Sequence, residues 1–284
     1  MKLNEKSQIL IVGLGLMGGS YAQALTAKGF SVWGIDSNED SIFYALREKM
    51  IEKGWSYPNE HAIGMADVII FALYPGVFKK WIEENQKYFS PGTLITDVTG
   101  VKDEIVDDIQ SMLRPDVEFI AAHPMAGREV SGVENSDSGI FKGANYIVVP
   151  TEKNTADAID NCKRLGQYLG FARVSELSPK EHDEMIGFVS QLTHCIAVTL
   201  MTCSDSTRLV DYTGDSFRDL TRIAKINDKM WAELFMMNRE PLLRQMEKFG
   251  KEFYTFKKLL EEKDVEGMRE KMRLSGERRT YFDK

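Results

Sequence analysis

Short apolar runs alternate with amphipathic stretches of helical length over about the first 175 residues. The runs are rich in β-branched residues and lie at 9–12, 31–35, 68–73, 93–96, 117–122 and 146–149. This alternation predicts βαβ units around a mostly parallel sheet that is buried on both faces. We therefore expect a doubly wound α/β domain over residues 1–175.

The strand pattern is absent beyond about residue 178. The segments 179–204, 215–224, 228–238 and 240–263 are rich in Leu, Met, Lys and Glu, which predicts an all-α domain over residues 176–284. No low-complexity linker separates the two halves, so we expect them to pack against each other.

The segment 240–263 carries a single apolar seam. Its large apolar residues recur at alternating intervals of four and three positions, which places them on one helix face: Leu242, Met246, Phe249, Phe253, Phe256 and Leu260. Such a seam either packs within the chain or forms a subunit interface, since homodimers bury wide apolar stripes. The pattern alone favours neither.

Composition places the chain among ordinary soluble proteins. Of its 284 residues 43% are hydrophobic and 28% are charged, which excludes a disordered chain, a collagen-like repeat and a disulfide scaffold. The net charge of −7 and the absence of a dense Lys/Arg block argue against a nucleic-acid partner. An anionic ligand would have to be held by a few placed cations.

We expect a cytoplasmic protein with no membrane partner and no metal. No stretch approaches the 18 or more apolar residues of a membrane span, and the N-terminal apolar run, which resembles an export signal, stops at Gly13. The three cysteines show no CxxC spacing and the chain has only four histidines, so a structural zinc site is not indicated.

A glycine-rich motif follows the first apolar run and opens the first predicted helix. It fits G-x-G-x-x-G, a fingerprint of dinucleotide binding when it lies between a strand and a helix: Gly13, Leu14, Gly15, Leu16, Met17 and Gly18. Gly13 permits the tight turn, Gly15 lets the backbone approach a pyrophosphate, and Gly18 lets helix and strand pack closely. The helix N-terminus then offers free N–H groups to the phosphates.

Asp36 indicates which dinucleotide binds. It ends the second apolar run, where an acidic side chain binds the adenosine ribose hydroxyls. The residues that follow, Ser37, Asn38 and Glu39, offer no cation for the 2′-phosphate of NADP. NAD is therefore favoured over NADP, and FAD or a glycine turn without a ligand are the alternatives.

Ligands of open α/β sheets bind beyond the carboxyl ends of the strands. Tyr74 and Pro75 follow the third apolar run, where we expect them to contact the cofactor, and His123 follows the fifth. His123 precedes Pro124, which favours extended backbone. A histidine titrates near neutrality and is suited to draw a proton from a substrate hydroxyl as hydride leaves, although a buried structural histidine is the alternative.

The other histidines are less informative. His194 lies on one face of the predicted helix 179–204 and is either a pocket residue or a core residue. His61 and His182 stand in polar surroundings, so we expect both at the surface.

Two arginines, Arg218 and Arg222, are four positions apart on a short predicted helix. A guanidinium can bind a carboxylate through two hydrogen bonds. Alternatively, Asp219 forms a structural ion pair with one of them.

Several segments together resemble the prephenate dehydrogenase family, nicotinamide-dependent enzymes of tyrosine biosynthesis with arogenate-using relatives. The resemblance covers nearly the whole chain. Besides the glycine motif it rests on residues 97–102 (DVTGVK), 123–127 (HPMAG) with Glu129, 190–194 (SQLTH), and 219–224 (DLTRIA) with Met230 and Trp231. The combination of HPMAG after a strand with the downstream segments is highly specific.

The resemblance implies an N-terminal Rossmann domain, a helical dimerisation domain and a homodimer whose interface includes the seam. It implies that prephenate and NAD give 4-hydroxyphenylpyruvate, CO₂ and NADH. His123 would accept the proton of the ring hydroxyl, Arg222 would bind a carboxylate, and His194 would lie in the substrate pocket. Three further matches, Glu129, Asp219 and Trp231, correspond to residues that gate or shape that pocket.

The chain departs from the family pattern at two places. The family commonly has Gly-Ser where this chain has Thr99-Gly100, so a serine hydroxyl expected near the nicotinamide is absent, and Thr99 is the candidate to replace it. The common His-Leu-Pro-His is here QLTH, residues 191–194. The alternatives are an arogenate dehydrogenase, another Rossmann enzyme such as a 3-hydroxyacid dehydrogenase, for whose catalytic lysine we find no motif, and a protein that binds NAD without turnover.

Overall fold

The predicted apolar runs form strands in the computed structural model, which describes residues 2–283. The strands are β1 (Gln8–Val12), β2 (Ser31–Ile35), β3 (Lys53–Trp55), β4 (Val68–Phe71), β5 (Leu94–Asp97), β6 (Glu118–Phe119), β7 (Ala121–Met125), β8 (Asn145–Val149) and β9 (Arg173–Glu176). The short strands β3 and β9 were not predicted, because three or four partly exposed residues carry no clear apolar alternation.

The helices of the first domain are α1 (Leu16–Thr26), α2 (Glu39–Arg47), α3 (Glu60–Met65), α4 (Pro75–Asn85), α5 (Asp103–Met112) and α6 (Ala156–Leu169). Those of the second are α7 (Pro179–Ile186), α8 (Thr193–Thr202), α9 (Asp215–Thr221), α10 (Asp228–Met237), α11 (Arg239–Glu261) and α12 (Val265–Arg279). A π-helical segment, Gly187–Leu192, joins α7 to α8 without a break.

Six strands form a parallel sheet in the order β3-β2-β1-β4-β5-β6. The chain order reverses between β1 and β4, so the carboxyl ends of these two strands flank the crevice in which doubly wound sheets bind ligands. Apolar side chains cover both faces of the sheet, as the uninterrupted burial of β4 and β5 shows. The predicted Rossmann architecture is confirmed.

A second, smaller sheet has the order β7-β8-β9, with β7 antiparallel to β8. The apolar run 117–122, predicted as one strand, is divided between the two sheets. Its first part, β6, pairs with β5, and after Ile120 the chain enters β7. This division places His123, the third residue of β7, in the second sheet and outside the main sheet.

The helical domain exposes most of the predicted seam. On α11, Leu242 is buried, but Met246, Phe249, Phe253 and Leu260 are between 40% and 67% exposed. Packing within the described chain therefore does not cover this face. Helix α12 was not predicted, because its residues are highly polar and carry no apolar stripe.

One helical stretch, residues 179–202, bears on the expectation that no segment spans a membrane. By length and composition this helical stretch could cross a membrane, with a mean hydropathy of 1.4 in its most apolar window, of which 28% is buried. Its side chains nevertheless include His182, Gln191 and His194, which hydrogen-bond to other protein groups. An apolar helix that a second subunit covers has the same composition.

Candidate active site

The glycine motif forms a turn with room for a phosphate. Gly13 has a φ of +96°, and a Cβ there would lie 2.4 Å from the carbonyl oxygen of Ala72. A Cβ on Gly18 would lie 1.8 Å from the carbonyl oxygen of Gly13, so both positions require glycine. A Cβ on Gly15 would have no neighbour within 4 Å. The backbone is therefore open where a dinucleotide pyrophosphate has to approach, and the motif fits NAD.

Asp36 is tied to this turn. One carboxylate oxygen accepts a hydrogen bond from the Leu14 N–H at 2.6 Å, and the other accepts one from the Asn38 N–H at 2.8 Å. A carboxylate has about four lone-pair positions, so Asp36 keeps capacity for ribose hydroxyls.

The helical domain holds the loop between β4 and α4. Tyr74 caps α4 and Pro75 lies in its first turn. The Asn227 side-chain amide donates to the Tyr74 hydroxyl at 3.0 Å, and the Gly76 N–H donates to the Glu233 carboxylate at 2.7 Å. Both partners belong to the start and middle of α10, so one helix of the second domain fixes a loop of the cofactor domain.

His123 begins a chain of hydrogen bonds that leads into the protein. Its Nδ1 lies 2.9 Å from Nε2 of His182, and Nδ1 of His182 lies 2.6 Å from a carboxylate oxygen of Asp183. Asp183 also accepts hydrogen bonds from the N–H groups of Lys102 and Asp103, where α5 begins. A capping box between Ser178 and Glu181 fixes the start of α7 and thereby this histidine and aspartate.

The expected surface position of His182 is wrong. Its neighbours along the chain are acidic, but its side chain is completely buried because α7 packs against α5 and β7. Burial lowers the pKa of His182 to about 3. Burial also lowers the pKa of His123 well below its usual range, and the nearby His182 and Lys102 add to this effect. Both imidazoles are therefore neutral at physiological pH. His61, by contrast, is exposed as expected.

A buried ion pair supports the same region. The Lys102 ammonium lies 2.6 Å from the Asp97 carboxylate, and both side chains are 0% exposed. The Thr99 hydroxyl donates to Asp97 and accepts from Lys102. Because this hydroxyl is buried and occupied, the geometry does not support the idea that Thr99 replaces the missing serine.

Gly100 occupies the position next to the outward nitrogen of His123. A Cβ on Gly100 would lie 3.8 Å from His123 Nε2 and 3.7 Å from a methyl group of Leu234. The Nε2 atom therefore faces the space between the two domains, and Gly100 leaves that space free.

Four predicted substrate residues form a second group. The ring of His194 packs on Trp231 at 3.8 Å between ring centres, and His194 Nδ1 lies 2.9 Å from the Ser190 carbonyl oxygen in the π-helical segment. Arg222 pairs with Glu129 at 2.6 Å. Burial lowers the pKa of His194, while Ser190 and Glu129 oppose that shift and Arg222 adds to it, so the charges of this pair act on the ring.

Asp219 is not tied to this group. Its side chain is exposed and forms no ion pair or hydrogen bond with other residues of 2–283. The alternative that it pairs with a neighbouring arginine is wrong, since Arg218 pairs with Asp215 and Arg222 with Glu129. Sequence reasoning missed His182 and Asp183. The only sequence feature that could have pointed to them is that a histidine and an aspartate stand next to each other in the chain.

Within residues 2–283 no group of three or more His, Cys, Asp or Glu side chains is arranged to hold a metal ion. The site offers a neutral imidazole, His123, and a separate pair of charged side chains, Arg222 and Glu129.

Comparison with known proteins agrees with this arrangement. Residues 21–174 match the family model of the prephenate dehydrogenase nucleotide-binding domain, and residues 178–274 match that of its dimerization domain. The chain is 28% identical over 270 residues to prephenate dehydrogenase of Bacillus subtilis, covering 93% of this chain and 72% of the relative. It is 31% identical over 253 residues to that of Lactococcus lactis, covering 86% and 68%.

A solved structure extends the likeness to the whole fold. The structure of prephenate dehydrogenase from A. aeolicus in complex with hydroxyphenyl propionate and NAD⁺ is 30% identical and superimposes with a TM-score of 0.90 over 99% of this chain and all of that one. The chain belongs to the prephenate dehydrogenase family.

Proposed function

We propose that this protein catalyses the oxidative decarboxylation of prephenate by NAD, giving 4-hydroxyphenylpyruvate, CO₂ and NADH. The observation that carries the proposal is the position of His123, a neutral imidazole whose Nε2 lies beside Gly100 and near Leu234, where the two domains meet. The full-length likeness to a structure that holds hydroxyphenyl propionate and NAD⁺ supports the substrate class.

Gly13, Gly15, Gly18 and Asp36 would hold the dinucleotide, with the Tyr74–Pro75 loop beside it. When bound, NAD supplies the carbon that accepts the hydride. His123 accepts a hydrogen bond from the ring hydroxyl and takes up its proton as hydride leaves the carbon that bears it. Loss of CO₂ from the opposite ring carbon returns an electron pair to the ring, which becomes aromatic. His123 then returns the proton to the phenolic oxygen.

Arg222 would bind a carboxylate of prephenate. The substrate is a dianion and the protein carries a net charge of −7, so a placed guanidinium is required to offset the average repulsion. Arg222 is paired with Glu129 and is 65% exposed, which leaves it accessible to a ligand. His194 and Trp231 would line the pocket between Arg222 and the ring.

We also propose that residues 1–175 bind the cofactor and that residues 176–284 complete the substrate pocket and form a homodimer. The exposed seam of α11 supports the dimer. A cytoplasmic location accords with three free cysteines, Cys162, Cys195 and Cys203, since cytosolic thiols stay reduced.

Formation of reduced nicotinamide, followed by absorbance, tests the function. Prephenate and arogenate are each paired with NAD and with NADP, and we expect turnover with prephenate and NAD. A rate that is higher with arogenate would favour the arogenate alternative, in which the acidic Glu129 binds the substrate ammonium group. If none of the four mixtures forms reduced nicotinamide while the protein still binds NAD, the result would contradict the assignment and favour an NAD-sensing protein.

His123→Asn tests the base. We expect kcat to fall by about 10²–10⁴-fold while the Kd for NAD stays unchanged. His61→Asn, the same change at an exposed histidine, should retain full activity.

A further inference from the structure

The predicted base, His123, and two side chains behind it form a continuous hydrogen-bonded chain, and the last group of this chain can only accept. Asp183 accepts from His182 at 2.6 Å, and His182 faces His123 at 2.9 Å. The side chains of His182 and Asp183 are buried. The proposed reaction gives them no direct part.

The order of donors along this chain follows from its end. A carboxylate can only accept, so Nδ1 of His182 carries the hydrogen and its Nε2 is an acceptor. Nδ1 of His123 must then carry a hydrogen to donate to His182. A neutral imidazole has one N–H, so Nε2 of His123 is left with a free lone pair that faces Gly100 and the substrate space.

We propose that Asp183, acting through His182, sets the tautomer of His123 so that Nε2 is always ready to accept the substrate proton. This inference rests on the proposed role of His123 as the base. His182 and Asp183 are thus positioning residues, since neither touches substrate or cofactor.

The surroundings of Asp183 keep its orientation fixed. Its oxygens accept the N–H groups of Lys102 and Asp103, and its own backbone carbonyl accepts from the Asn238 side chain at 2.9 Å. Asn238 is itself held by Gln191 at 2.6 Å. The carboxylate therefore cannot turn away from His182 without breaking several buried hydrogen bonds, each of which is costly to leave unmade.

Asp183→Asn reverses the chain with almost no change of shape. The N–H groups of residues 102 and 103 donate to the amide oxygen of the new asparagine, so its NH₂ group faces His182. Nδ1 of His182 then becomes an acceptor. His182 then donates from Nε2, and the hydrogen of His123 moves to Nε2. We expect kcat to fall by about 10²–10⁴-fold, the size of effect that follows loss of the correct tautomer of a catalytic base, with an unchanged Kd for NAD.

Asp107→Asn is the matched control. It makes the same chemical change on α5, but the exposed Asp107 side chain takes no part in the chain of three or in the hydrogen bonds that hold Asp183, so kcat should stay within twofold of the natural protein.

Two substitutions of His182 separate positioning from packing. His182→Gln keeps an amide oxygen as acceptor for His123 and an amide N–H as donor to Asp183, so it should retain at least a tenth of the activity. His182→Leu has similar bulk but neither group, and should fall to the level of Asp183→Asn. Equal activities of the Gln and Leu variants would show that His182 serves packing alone.

The pH profile gives a second readout. The charged and titratable groups that face Asp183 are His182 on its own helix and Lys102 and Asp103 at the start of α5. Burial raises the pKa of Asp183 to about 6, against the opposing hydrogen bonds from residues 102 and 103 and the Lys102 charge. Activity should therefore fall as the pH drops through about 6, when the carboxylate becomes a donor. Asp107→Asn should keep this acid limb, and Asp183→Asn should lose it.

The tautomer itself is measured by two-bond ¹H–¹⁵N correlation spectra of protein labelled at histidine. We expect Nδ1–H on His123 in the natural protein and Nε2–H in Asp183→Asn, with assignment by His123→Asn. The same tautomer in both proteins overturns the inference whatever the activity. A tautomer change in a protein that does not turn over prephenate would instead sustain the inference and overturn the proposed function.

Discussion

Replacement of Lys102 by methionine should destabilise the protein severely, although Lys102 lies outside the proposed pocket. Lys102→Met keeps the length and apolar stem of the side chain and removes only the ammonium group. The Asp97 carboxylate then remains 0% exposed without its ion partner at 2.6 Å. Its other hydrogen bonds, from Ala122 N–H at 3.1 Å and from Thr99, cannot supply a full positive charge.

The expected loss is large because the pair is buried. Removing one partner of a buried ion pair costs about 3–5 kcal/mol, since an uncompensated charge is left in a medium of low dielectric. At about 2–4 °C per kcal/mol for a chain near this size, the thermal midpoint should fall by about 6–20 °C. Asp97→Asn in the Lys102→Met background removes the orphan charge and should restore part of this loss.

The chain supplies a control of the same chemistry at a different depth. Lys79 and Asp108 are also 2.6 Å apart, but their side chains are 43% and 38% exposed. Lys79→Met should leave the midpoint unchanged within error, because water and salt screen exposed pairs. Thermal unfolding at one fixed protein concentration measures all four proteins, since subunit association makes the midpoint depend on concentration.

Equal losses in Lys79→Met and Lys102→Met would refute the reasoning from burial. So would a double variant no more stable than Lys102→Met, because the loss would then come from the packing of the lysine stem and not from the orphan charge.

Three further predictions concern the pocket, the cofactor turn and the interface. Arg222→Ala should raise KM for prephenate by about 10–150-fold, since a hydrogen bond to a charged group contributes about 1.5–3 kcal/mol. Arg218→Ala is the control, and equal KM values of the two variants in steady-state kinetics would contradict the assignment. Gly15→Ala should keep the unfolding midpoint, because its Cβ meets nothing, yet raise the Kd for NAD at least tenfold by calorimetry; an unchanged Kd would place the pyrophosphate elsewhere. Phe253→Glu should yield monomers in light scattering, whereas Phe43→Glu, at an equally exposed phenylalanine on α2, should not; a Phe253→Glu dimer would exclude the seam from the interface.

The sequence predicted the features that depend on local pattern. The turn at Gly13, the strands β1, β2, β4 and β5, and the face of α11 each follow from spacing within a dozen residues, and the structure has them. The extended backbone of His123 before Pro124 was likewise a local property.

What the sequence did not predict depends on contacts between distant segments. His182 looks like a surface residue between two acidic neighbours, and only the packing of α7 on α5 makes it an internal one. The division of residues 117–122 between two sheets depends on which strands lie beside each half. The occupied hydroxyl of Thr99 likewise depends on where the Lys102 side chain reaches, and a motif comparison has no access to that.

Helix α10 couples the affinities of the protein for its two ligands. It carries Trp231, which packs on His194 in the proposed substrate pocket, and Glu233, which accepts the Gly76 N–H of the cofactor loop. A ligand that steadies this helix from either side reduces the ordering that the other ligand must still impose. The two affinities are then linked reciprocally: whatever factor bound NAD adds to the affinity for substrate, bound substrate adds to the affinity for NAD.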